Sequence, residues 1–102
     1  MAPNSEKAAA GAAAFKRGDF AAAAEAYTDA LLTVTGDPEA EAGLLANRAM
    51  CRIRLGLFEE GREDAASAST LAPGNPKAWY RLGICEAKLG HLPEAEAALE
   101  EA

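Results

Sequence analysis

The chain has few of the residues that carry chemistry. Its 102 residues include one histidine, two cysteines, one tryptophan and 6% aromatics. His91 stands alone, so no His/Cys/carboxylate cluster with metal-ligand spacing can be assembled, and no Ser-His-Asp or Cys-His set is available. A phosphate-cradling glycine loop is also missing. These absences argue against an enzyme, and neither a metal nor a cofactor is expected. Basic residues are the minority, ten against sixteen acids for a formal charge of −6. Nucleic acid is therefore excluded as a default partner, since phosphate binding needs a concentrated basic face. No apolar run approaches the roughly 18 to 20 residues of a membrane span, and Met1 to Lys7 lack the basic segment and apolar core of a secretory signal. A cytosolic or nuclear location is expected, cytoplasmic being preferred, with no membrane partner. Alternating β-branched runs are absent too, so no strands are predicted.

Alanine is abundant. Half of the chain is hydrophobic, and much of that half is alanine, the strongest helix former and a small packing residue suited to close helix–helix contact. The fold class predicted is all-α, in one small domain. Arg54-Leu55-Gly56-Leu57-Phe58-Glu59-Glu60 falls on Lys88-Leu89-Gly90-His91-Leu92-Pro93-Glu94 after a shift of 34 residues, and Lys16-Arg17-Gly18-Asp19-Phe20 matches after a shift of 38. A period of this size means helix–turn–helix units stacked on one shared core with a continuous concave face. Cys51 and Cys85 lie one period apart and read as equivalent small packing residues.

Six helices follow from the punctuation. The first runs from about Ser5 to Arg17 and stops at Gly18, and the second from Phe20 to Val34. Asp37-Pro38 caps a third that reaches Leu55; a fourth spans Phe58 to Leu71. Asn75-Pro76 opens a fifth ending near Leu89, and a sixth starts around Pro93. The repeats are about 4–37, 38–75 and 76–102. Four extra residues between the first two lie around Thr35 to Ala42 and lengthen a helix end or its loop. Ala95, Ala98, Leu99 and Ala102 mark an apolar stripe on the sixth helix. From it, weak self-association through an uncapped last repeat is expected, with the chain a piece of a longer protein.

Gly18-Asp19-Phe20, Ala30, Gly56, Phe58, Ala68, Pro73, Trp79, Leu82-Gly83, Gly90 and Ala95 fall where the tetratricopeptide repeat pattern places its small, aromatic and proline residues. The chain resembles that family over nearly its whole length. The resemblance implies three repeats forming a short right-handed α-solenoid. Leu44-Leu45-Ala46-Asn47-Arg48-Ala49 and Lys77-Ala78-Trp79-Tyr80-Arg81 further resemble the carboxylate-clamp domains of co-chaperones, which hold the C-terminal Glu-Glu-Val-Asp of the heat-shock chaperones Hsp70 and Hsp90. The resemblance implies that Asn47, Lys77 and Arg81 contact peptide carboxylates. Ala8 and Ala12 stand where the family's first repeat has a lysine and an asparagine.

Helical spacing supplies a separate reading. Lys77, Arg81, Ile84 and Lys88 share one face of the fifth helix, and Gly43, Asn47, Met50 and Arg54 are their equivalents on the third. Ser5, Ala9, Ala12 and Lys16 form the same stripe on the first. Nine of the ten basic residues lie on the first helix of a pair, so a net-acidic chain can carry a basic groove that attracts an anionic peptide. Arg54 and Lys88 fit either the groove or a solvated face; Met50 and Ile84 fit either a groove floor or the core between repeats. Arg52 and Glu86, equivalent residues of adjacent repeats, are placed to pair, and His91 reads as a solvated turn residue. The expected function is a non-catalytic adaptor that binds an acidic peptide such as the C-terminal tail of a heat-shock chaperone. The alternative is a scaffold or assembly module that takes an internal helix or strand of another subunit.

Overall fold

The computed structural model describes residues 3–34 and 36–102. Six helices fill it: α1 (Pro3–Lys16), α2 (Phe20–Leu31), α3 (Pro38–Arg54), α4 (Phe58–Leu71), α5 (Pro76–Lys88) and α6 (Leu92–Glu101). No strand occurs among the described residues, and no helix there is long and apolar enough to cross a membrane. Consecutive helices pack antiparallel as three pairs, and α3 also touches α5. The result is a short helical solenoid.

Local chemistry sets the boundaries. Asp19, Asp37 and Asn75 each accept a backbone N–H with the side-chain oxygen at the start of α2, α3 and α5, at 3.0–3.1 Å. Pro38 and Pro76 occupy the first helical positions, where no intrahelical donor is needed. Gly18, Gly56 and Gly90 turn the chain within each pair at φ of 78–83°, a left-handed backbone that disfavours any side chain. α2 ends at Leu31, three residues before the expected Val34. There the Thr33 hydroxyl donates to the Ala30 carbonyl at 2.8 Å and its N–H to the same oxygen, closing the last turn. α3 starts four residues before the position equivalent to the start of α5, so the extra residues form an added N-terminal turn.

The core is built from small residues. Ala14, Ala23, Ala30, Leu44 and Cys51 gather around Tyr27, and Ala42, Ala46, Ala68, Ala72 and Ala78 around Leu45. Alanine at the contact lets helix backbones approach closely, which fits a core with few large side chains. Both thiols are free and fully buried. Trp79 donates its indole N–H to the Pro73 carbonyl at 2.8 Å and ties α5 to the preceding loop. The expected stripe on α6 is mostly covered: Ala95 and Ala98 are buried, leaving Leu99 half exposed and Ala102 exposed. Leu99 lies directly over Gly83, where an added Cβ would meet its branch at 2.7 Å.

Candidate peptide-binding cleft

The cations of the first helices divide by face. Asp64 of α4 is 4% exposed and binds two arginines of α3. Its Oδ1 accepts from Arg48 Nη2 at 2.7 Å, and its Oδ2 accepts from Arg48 Nε at 2.9 Å and Arg52 Nη1 at 2.8 Å. Arg48 also donates to the Thr28 hydroxyl at 3.0 Å, tying α2 to α3 and α4. These two arginines therefore hold neighbouring helices together and contribute nothing to a groove. The expected Arg52–Glu86 pair does not form. Glu86 instead meets His91 Nδ1 at 2.9 Å and Arg62 Nε at 3.9 Å, so His91 is engaged rather than free in solvent. A step of one residue turns about 100° around a helix, and that rotation separates Arg48 from its neighbour Asn47.

On the other face, α1, α2, α3 and α5 enclose a cleft of about 240 Å³ lined by Ala12, Phe15, Lys16, Tyr27, Asn47, Met50 and Arg81. Four sequence-predicted residues thus meet in one place: Lys16, Asn47, Met50 and Arg81. Arg81 is half buried. Its Nη1 donates to the Ala46 carbonyl at 2.8 Å and lies 3.4 Å from Asn47 Oδ1. Its Nε is buried without a hydrogen-bond partner among the described residues. Burial pushes this guanidinium below its ordinary pKa, against smaller opposing effects of Cys51 and Tyr27. A guanidinium nonetheless keeps its proton at neutral pH, so it is a fixed cation short of one acceptor.

The other predicted residues lie outside the cleft lining. Lys77 is exposed, one helical turn before Arg81 on the same face. Ile84 is half buried. Arg54 stacks over both Phe15 and Phe20 at 5.9 Å, and Lys88 lies over Phe58 at 5.9 Å. Arg54–Phe20 and Lys88–Phe58 are the same contact one repeat apart: a cation ending one first helix covers the aromatic that opens the preceding second helix. Tyr27, on a second helix, was not anticipated in the cleft. Its place in the repeat reads as core, and it is indeed 5% exposed. Phe15 and Phe20 pack edge to face at 5.1 Å, which fixes the Phe15 wall.

Known proteins share this fold. The family model described as tetratricopeptide repeat matches residues 8–76 and again 47–102. Human tetratricopeptide repeat protein 4 is 36% identical over 81 residues, covering 79% of this chain and 21% of that protein. The Hsp70/Hsp90 co-chaperone CNS1 of Saccharomyces cerevisiae is 33% identical over 84 residues, covering 82% of the chain and 22% of the relative. The chain thus spans about a fifth of the length of these relatives. Among solved structures, the second TPR of Spaghetti (RPAP3), bound to the HSP90 peptide SRMEEVD, superposes with a TM-score of 0.88 at 31% identity, over 96% of this chain and 87% of that one. With its three helix pairs and this sequence match, the chain belongs to the tetratricopeptide repeat family.

Proposed function

We propose that this chain is a non-catalytic adaptor module that holds the acidic C-terminal tail of a heat-shock chaperone of the Hsp90 or Hsp70 kind in the α1–α3–α5 cleft. The observation that carries it is Arg81: a half-buried guanidinium with an unpartnered Nε, beside Asn47, in a cleft whose walls are otherwise mostly apolar. A carboxylate is the ligand that satisfies such a donor. The relative named as a co-chaperone and the similar domain bound to a peptide ending in Glu-Glu-Val-Asp support the choice of ligand. In this reading Arg81 and Asn47 meet one carboxylate inside the cleft. Lys77 and Lys16 stand at its rim, and Phe15 and Met50 bind the apolar side chain between the acids. A cytoplasmic location goes with this reading.

Affinity is modest, with a Kd of about 1–100 µM, because a short peptide loses ordering entropy and Ala8 and Ala12 offer no donors. Calorimetric titration with SRMEEVD tests the proposal. The free-acid peptide is expected to bind, its affinity falling with salt, and Arg81→Gln to abolish binding. An amidated peptide that binds equally well would turn the conclusion toward an internal segment and a scaffold role.

A further inference from the structure

We infer that the Tyr27 hydroxyl donates a hydrogen bond to a carboxylate of the bound peptide, supplying from the cleft floor part of what Ala8 and Ala12 withhold. This deepens the acidic-tail reading and rests on it. Tyr27 is 5% exposed, yet it lines the cleft together with Ala12 and Arg81. The Tyr27 hydroxyl has no hydrogen-bond partner among the described residues, and its oxygen is not sealed from solvent as the Arg81 Nε is, so it is free to meet a ligand in the cleft. Its ring is held in place by α1. A Cβ at Gly11 would lie 2.9 Å from the ring carbons next to the hydroxyl, so the ring packs directly on backbone there. The methyl of Ala12 is the only side-chain atom that residue adds to the lining, which leaves the floor open to a ligand.

Repeat register singles this residue out. Shifts of 38 and then 34 carry Tyr27 onto Ala65 and Leu99. Both are apolar, so packing at this position has no use for a hydroxyl. The polar occupant appears in the first repeat, whose first helix carries Ala9 where the same register places Asn47 on α3 and Arg81 on α5. Burial, with Cys51 adding to it and Arg81 opposing, raises the phenol pKa. Tyr27 therefore stays protonated and acts as a donor. A carboxylate that enters beside Arg81 would receive a charged donor from α5 and a neutral one from α2.

Tyr27→Phe tests this with two readouts. The ring and its packing are retained, so the thermal midpoint is expected to stay level. The affinity for free-acid SRMEEVD is expected to fall about tenfold. A Kd unchanged by Tyr27→Phe, while Arg81→Gln abolishes binding, would overturn the role of the hydroxyl and leave the cleft reading intact. Failure of the unaltered chain to bind the peptide would overturn both.

Discussion

Replacing Asp64 with alanine should cost this domain a large part of its stability without touching the cleft. Three charge-assisted hydrogen bonds converge on the 4%-exposed carboxylate, two from Arg48 and one from Arg52. The Asp64→Ala chain retains two guanidinium groups packed between α3 and α4 with no anion to answer them. Removing one partner of a buried ion pair costs about 3–5 kcal/mol. Here the arginine side chains keep 17% and 26% of their surface in solvent and can turn outward, so the low end, roughly 3 kcal/mol, applies. For a domain of this length that corresponds to a fall in Tm of about 12–20 °C. Circular dichroism melts, repeated in urea, measure it. A double-mutant cycle with Arg48→Met should show coupling of more than about 1 kcal/mol. Because the pair is buried, the loss should persist in high salt, unlike peptide binding. A Tm shift below about 4 °C, or additive single variants, would refute the claim that this network fastens the first two repeats.

Three further outcomes are open to measurement. Ala8→Lys with Ala12→Asn should tighten free-acid SRMEEVD by about 1–3 kcal/mol in calorimetry; Ala8 is half buried, so the new lysine must extend its stem along the surface to reach the rim. Cys85, pushed up to about 11 chiefly by burial, and Cys51, raised for the same reason, should resist thiol reagents at pH 8 until the chain unfolds. The linked stability is present below the unfolded thiol value near 9 and is lost as pH rises through that value toward 11. Gly11→Ala drives a Cβ to 2.9 Å from the buried Tyr27 ring and should destabilise by about 1–2 kcal/mol despite better helix propensity. Gly43→Ala, with nothing within 4 Å, should stabilise by about 0.5–1 kcal/mol; thermal melts of the pair decide between steric and propensity effects.

What the sequence makes legible here is whatever repeats or caps. Asp37-Pro38, Asn75-Pro76 and the glycines at 18, 56 and 90 act through bonds within a few residues, and they place five of six helices closely. Asn47 and Arg81 meet because each holds the same register in its own repeat. The end of α2 was not legible because the Thr33 hydroxyl competes with the helix for the Ala30 carbonyl, a local choice that hydrophobic periodicity does not report. Tyr27 was not legible as a cleft residue because a floor position belongs to the second helix, whose pattern marks only the core.

The basic residues show where one-dimensional reading stops and angular position takes over. Assigned by helix, Arg48, Arg52, Arg54, Lys77, Arg81 and Lys88 form one population. Assigned by rotation about the helix axis, they form three. Arg48 and Arg52, four residues apart, share a ridge that faces α4 and meets Asp64. Arg54 and Lys88, in the last turns, reach back over aromatics of the preceding repeat. Lys77 and Arg81 alone remain on the side of the cleft, joined there by Lys16. The field at the cleft therefore comes chiefly from Lys16, Lys77 and Arg81, with Arg54 behind the Phe15 wall. One of them, Arg81, is already half desolvated and thus needs less further dehydration to meet an anion than an exposed lysine does. Affinity should accordingly depend far more on Arg81 than on either lysine, whose contributions should appear chiefly in the association rate and its salt dependence.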